Sequence, residues 1–537
     1  MPRQSRVPTS RDQVYESLRV SLRDIGVGRG PWDGAAADDA IAGVADAVEL
    51  DIRRRLGELE VREVLRCAVG AMAHCVDLQF KARTGGRGSL AAAREAQLHA
   101  ENAAVGHLIL ELAARQSVDG RRRDPSQRDL EALSILAREL WQWRTVADRV
   151  AVRLVTVASA RLTKRGTFEV EVRDRPPFRA SQFDDAYVRR MADADPIRGA
   201  ADYAFLQALA QSLKNGAELP DDLGDIDTAL KADRGYGLRD LFAAQEFLIE
   251  VSGADDDSTT GYRFSSRERL DSVVRANSEQ LLPHANPDGV VEACRHMIWT
   301  QELLQASPVQ MFKYRESPGR LYSRPIVELA DRSLFVPRNA PGLARVVLLQ
   351  RVLEGTWPEQ LSSQDLTLQR ALKLRRERVR PVAGFEAELE SILATTGLPY
   401  KAGIDPSRPG RPSEVLGVPI RAEIDAVVVA PHARTIWVLE AKDLAVPFSA
   451  RRIRSEVEKY RRPDGHVAKL LSKVEDVATN PIVVAARLGM PDGAQTFTVR
   501  GLFVTRELSP AAYLDDRVHD FVTIDRLPSF LLDPLGR

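Results

Sequence analysis

Residues 423–443 read EIDAVVVAPHARTIWVLEAKD. Two runs of β-branched and aliphatic side chains flank the turn Ala430-Pro431-His432-Ala433-Arg434. Such runs fit pleated, buried strands, and the Pro-containing break between them is turn chemistry, so the passage predicts a hairpin. The first strand opens on Asp425 and the second closes on Glu440-Ala441-Lys442. Alternate side chains of a strand share a face. Glu440 and Lys442 therefore point the same way, with the Ala441 carbonyl between them, and pairing across the turn brings Asp425 alongside Glu440.

Charges inside apolar strands are costly unless they are paired or metal-bound. Two carboxylates and a backbone carbonyl make an all-oxygen set that suits Mg²⁺. A cation held there polarises a phosphate and lowers the pKa of a bound water, while Lys442 orients that water or neutralises charge on phosphorus. A buried salt bridge between Asp425 and Lys442 is the structural alternative, and it leaves Glu440 unexplained. Chance alone is expected to supply an acid-x-Lys triplet in a chain of this composition. Among the eleven lysines it occurs only at Glu440, closing an apolar strand beside an acid-bearing partner.

The chain has 537 residues, enough for roughly two to four domains. Its 76 basic and 76 acidic residues balance, so any attraction to nucleic acid must be local. Arginine far outnumbers lysine, as in GC-rich bacterial genomes. Cys67, Cys75 and Cys294 are too few and scattered for a disulfide framework, which with no signal peptide implies a reducing cytoplasm. No apolar run approaches the ~18 residues of a membrane span.

Residues 1–33 read as a flexible arm. Helical periodicity marks a domain over 34–150, and residues 151–380 read as a mixed, mostly helical region with β-hairpins. Two strands there flank the turn Thr163-Lys164-Arg165-Gly166, and RPIVELADRSLFVPRN reads as a hairpin turned at Asp331-Arg332. Pro381 and Gly384 end the basic helix KLRRERVR, which reads as a linker, and open a C-terminal domain over 381–537. That domain runs helix (385–395), strand (400–404), a Pro/Gly/Arg-rich excursion (405–414), strands 420–429 and 435–442, helices over 449–488, and two further strands. Its fold class is a mixed α/β sheet domain behind a mainly helical N-terminal region.

Glu386 stands in the first turn of GFEAELESILATTG and is placed to support a ligand or a second ion, with Glu388 and Glu390 as competitors. Residues 384–460 resemble the PD-(D/E)XK nuclease superfamily, the restriction-endonuclease-like fold, and within it the Mrr-type enzymes. The resemblance rests on Gly384, Phe385-Glu386, Leu389, Leu393 and Gly397 in the first helix, then on Asp425, Glu440 and Lys442. Ile424 stands where many relatives carry Pro, and Glu456 with Tyr460 matches a Gln-x-x-x-Tyr motif only in part. The resemblance implies a nuclease dependent on Mg²⁺ or Mn²⁺, with Asp425, Glu440, the Ala441 carbonyl and Glu386 around the metal. It implies DNA as substrate, leaves RNA open, and covers under a third of the chain.

RRIRSEVEKYRR, just downstream, offers Arg451, Arg452, Arg454, Lys459, Tyr460, Arg461 and Arg462 to a phosphate backbone, or else forms a solvated helix face. Cys67, His74, Cys75, His99 and His107 lack zinc-site spacing and read as helical core. No Walker loop, nucleophile elbow or HExxH is present, and Gly85-Gly86-Arg87-Gly88 reads as a plain loop. The expectation is a DNA-cutting domain in bacterial restriction, anti-phage defence or repair. The upstream helices would recognise the substrate, sense a trigger or bind a partner protein, and the chain is a candidate homo-oligomer. A non-catalytic nucleic-acid-binding scaffold is the alternative, and the intact Asp425, Glu440 and Lys442 argue against it.

Overall fold

A computed structural model describes residues 10–24, 32–33, 35–85, 89–116, 122–162, 168–193, 208–209, 211–212, 217–253, 261–281, 285–306, 323–338, 340–358, 361–379, 382–406, 416–444, 450–490 and 496–532. The turn at 163–166, most of the Gly85–Gly88 loop and nearly all of the 405–414 excursion lie outside them. The chain divides into two compact units. One comprises Met1–Val150, Thr156–Arg173 and Val188–Val379, and the other Ala151–Val155, Asp174–Tyr187 and Arg380–Arg537. No helix among the described residues is long and apolar enough to cross a membrane.

The larger unit departs from the sequence expectation in three places. Ser10–Asp24 is a helix, not a flexible arm. Val14, Leu18 and Leu22 recur at helical spacing and are buried in one core with Ile41, Ile52, Leu136 and Leu140. That core also takes in Trp299, Val327 and Phe335, so residues of the expected 34–150 and 151–380 regions share it. The basic helix Leu366–Val379 is no linker. It buries Leu368, Ala371, Leu372 and Arg375, and the Leu368 N–H donates to Asp233 at 2.8 Å. The hairpin near Asp331 forms as expected, Ile326–Glu328 pairing antiparallel with Leu334–Pro337.

In the C-terminal unit, α1 (Val382–Thr396) ends at Gly397, whose positive φ of 67° suits a residue without Cβ. Strands β1 (Tyr400–Ile404), β2 (Ile424–Ala430) and β3 (Thr435–Lys442) follow, then helices α2 (Ala450–Arg461), α3 (His466–Ala478) and α4 (Pro481–Arg487). Strands β4 (Thr498–Thr505) and β5 (Asp520–Thr523) and helix α5 (Leu527–Leu532) complete it. The five strands form one mixed sheet in the order β5-β4-β3-β2-β1. Pairings from β1 through β3 are antiparallel and those from β3 through β5 are parallel. The turn between β2 and β3 is a single 3₁₀ turn, Pro431–Ala433, closed by Arg434 at φ 47°.

Side-chain alternation gives the sheet two apolar faces. Ala426, Val428, Trp437, Leu439, Leu502 and Val504 pack with Phe385, Leu389 and Leu393 of α1 and with Leu527 and Leu531 of α5. The opposite face bears Asp425, Glu440, Lys442 and Phe503, and α2 and α3 cover it: Tyr460 sets its ring edge-on to Phe503 at 5.0 Å. The segment 174–187 also belongs to this unit, with Phe183 edge-on to Tyr513 at 5.5 Å.

Candidate active site

The register of β2 against β3 runs from Thr435↔Ala430 to Leu439↔Ala426. One further step sets Glu440 opposite Asp425 on the same face. There the ladder gives way to a side chain: Asp425 Oδ2 accepts the Ala441 N–H at 2.6 Å. A strand residue directs its N–H and C=O to the same edge. The Ala441 carbonyl therefore also faces Asp425, while the Lys442 carbonyl faces β4 and accepts from the Arg506 N–H at 3.4 Å.

Glu440 is 6 % exposed and is held by two ammonium groups. Its Oε1 accepts from Lys442 Nζ at 2.6 Å, and its Oε2 accepts from Lys473 Nζ. Lys442 thus pairs with Glu440, not with Asp425 as the salt-bridge alternative has it. Burial, and then the Glu440 charge, push the Asp425 carboxyl up to about 6, against the Ala441 N–H and the two lysines. Burial acts on Glu440 in the same sense, but Lys473 and Lys442 overcome it and hold that carboxyl below its ordinary value.

Lys473 is the residue that sequence reasoning missed. It lies on α3, is 7 % exposed, and shares the buried side of its helix with Leu470 and Val477. A lysine on the apolar stripe of an amphipathic helix was the available signal. His466, the first residue of α3, was missed too. It sits edge-on to Tyr460 at 4.9 Å, and burial together with the Lys442 charge holds its pKa below the ordinary value.

Two expected site residues are not brought to this cluster. Glu386 is exposed, on a helix whose Phe385, Leu389 and Leu393 pack on the other face of the sheet. Its neighbour Glu388 is paired with Arg506 at 2.7 Å. Tyr460 is fully buried, because Ala450, Ile453, Val457 and Tyr460 form the apolar stripe of α2. Burial pushes its phenol up, and the ring has no surface to offer nucleic acid. Around it Arg451, Arg452, Lys459, Arg461 and Arg462 are exposed. Several of the cations on this helix face carboxylates: Arg454 meets Glu458 at 2.7 Å, Lys459 meets Glu456 at 3.1 Å and Arg461 meets Asp516 at 3.0 Å.

Among the described residues no group of three or more His, Cys, Asp or Glu side chains gathers to hold a metal. The oxygen donors that the cluster presents are Asp425, the Ala441 carbonyl and Glu440. Each carboxylate oxygen has two lone-pair sites, so the lysines leave one on each Glu440 oxygen. A buried Asp425 whose proton is held up to about 6 also gains from a nearby cation. The chain matches no protein-family model, no curated protein and no solved structure.

Proposed function

We propose that the C-terminal unit is a divalent-metal-dependent nuclease that hydrolyses DNA phosphodiester bonds. One observation carries this reading. Asp425 and Glu440 share a sheet face, with Asp425 tied to Ala441 and Lys442 bonded to Glu440. The residues that would hold Mg²⁺ or Mn²⁺ are Asp425, Glu440 and Ala441 through its carbonyl. When bound, such an ion supplies Lewis-acid polarisation of the phosphate and a lowered pKa for water.

The chain's own groups divide the remaining work. Asp425 must be ionised to act as a ligand, so its raised pKa links site assembly to proton release. Lys473 lies inside the fold, whereas the Lys442 side chain is 23 % exposed and keeps an open side. Lys442 is thus the cation placed to meet a phosphate oxygen or orient the attacking water. Arg451, Arg452 and Arg462 offer backbone contacts alongside. Restriction, anti-phage defence or repair is the setting this chemistry serves. The larger unit would supply recognition, a partner surface or self-association.

The test is cleavage of plasmid, linear DNA and RNA with Mg²⁺ or Mn²⁺ by the full chain and by Asp425→Asn and Lys442→Ala. Metal-dependent cutting that both substitutions abolish is the expected result. Cutting left unchanged by both removes the assignment, and cutting of RNA alone changes the substrate. A second reading is favoured by one feature, the pairing of Glu440 with two lysines. A nucleic-acid-binding scaffold would use this cluster as a neutral buried network, and binding without metal-dependent cutting would support it.

A further inference from the structure

Glu440 and Lys473 form a buried pair on opposing layers, strand and helix, and nothing in the chemistry of a single-lysine site requires it. Both side chains are more than nine-tenths buried. Lys473 reaches the Glu440 oxygen that Lys442 does not use. Burying an ammonium is strongly unfavourable unless it is paired, and here the carboxylate of a candidate ligand supplies the pairing.

The charges decide how many ions the cluster takes. Two carboxylates and two ammonium groups sum to zero. Two-metal sites hold their ions roughly 3.5–4 Å apart and need acids enough to neutralise both. Among the described residues no third acid joins Asp425 and Glu440, and Glu386 is exposed on a helix packed against the other face. A second divalent ion would meet a fixed ammonium instead of a ligand. We propose that Lys473 is a positioning residue that fixes Glu440 and stands in for a second cation, so that the site takes one divalent ion. This rests on the metal-dependent reading above.

Mn²⁺ binding to the full chain, followed by electron paramagnetic resonance and calorimetry, tests it beside cleavage assays. Wild type should bind about one ion per chain and Asp425→Asn none, since truncating a metal-ligand set costs affinity tenfold or more. Lys473→Glu, which puts a third acid where the ammonium stands, should bind about two, with its cleavage falling about tenfold at low Mn²⁺ and recovering as Mn²⁺ is raised. Lys473→Arg, which keeps the charge, should bind one. Two ions on wild type, or one on a folded Lys473→Glu whose cleavage keeps the wild-type Mn²⁺ dependence, would overturn the proposal and leave the nuclease reading standing. If Lys473→Glu does not fold, the ion counts of wild type and Lys473→Arg decide, and two ions on either rejects it. No Mn²⁺ on wild type, with no difference from Asp425→Asn, sinks the metal-dependent reading itself, and the proposal with it.

Discussion

Asp425 Oδ2 and the Ala441 N–H lie 2.6 Å apart, a side chain taking a place in a ladder that backbone atoms have just left. Asparagine can keep that bond through its own carbonyl oxygen, but it brings no charge to a cation. Asp425→Asn should therefore preserve the circular dichroism spectrum while cutting metal-dependent cleavage about a hundredfold or more, roughly 3 kcal/mol. Initial rates within threefold of wild type would take Asp425 out of the reaction.

The same residue should make cation-free stability depend on pH. Its carboxyl rises from 3.8 to about 6 on folding, so the folded chain binds this proton more tightly than the unfolded chain. The stabilisation is present below the unfolded value and is lost as pH rises through about 6. At about 1.4 kcal/mol per pH unit it amounts to at most about 3 kcal/mol. Glu440, held below its ordinary 4.5, acts oppositely and only at lower pH, losing its contribution as it protonates. With chelator present, Tm at about pH 5.5 should exceed Tm at about pH 7.5 by more in wild type than in Asp425→Asn. Equal differences in the two proteins would show that Asp425 is not strained.

Glu386→Ala should change stability by less than about 0.5 kcal/mol, as exposed positions do, and leave cleavage within about twofold of wild type. Its helix packs on the opposite face of the sheet from Asp425 and Glu440. A hundredfold loss would restore Glu386 to the site.

Tyr460 carries packing rather than recognition. Truncating a fully buried aromatic leaves a cavity, so Tyr460→Ala should cost about 3–5 kcal/mol in denaturant unfolding. Tyr460→Phe, which removes only the buried hydroxyl, should change stability by less than about 1 kcal/mol and leave DNA affinity unchanged. Weaker DNA binding by a stable Tyr460→Phe would contradict this.

Helix α2 and Arg462 just beyond it should contribute through few of their arginines. Arg451 and Arg462 are exposed, whereas Arg454 and Arg461 are matched by carboxylates. Replacing Arg451 and Arg462 together by alanine should lower the slope of log K against log salt by about one to two. Arg454→Ala should barely move it. Equal effects would mean the ion pairs open on binding.

The hairpin was legible because its signals are local: β-branched runs, a Pro-containing turn, and acids at strand ends. Alternation then set Asp425, Glu440 and Lys442 on one face without any tertiary knowledge. Lys473 was harder, because only helix docking brings residue 473 to residue 440. Its stripe with Leu470 and Val477 was nonetheless in the sequence. Tyr460 failed by the same rule in reverse, since Ile453 and Val457 already marked its side of α2 as buried. The N-terminal helix was lost because its many polar residues obscured Val14, Leu18 and Leu22, whose partners lie far along the chain.

Asp476, one turn beyond Lys473, is 5 % exposed and accepts both the Arg421 backbone N–H at 2.8 Å and Arg421 Nε at 2.5 Å. Arg421 lies three residues before the first residue of the strand that carries Asp425. The clasp therefore works as a gauge, holding the helix that brings the lysine at a set span from the strand that brings the acid. A descendant of this chain that lost the clasp would keep every reagent and lose their spacing.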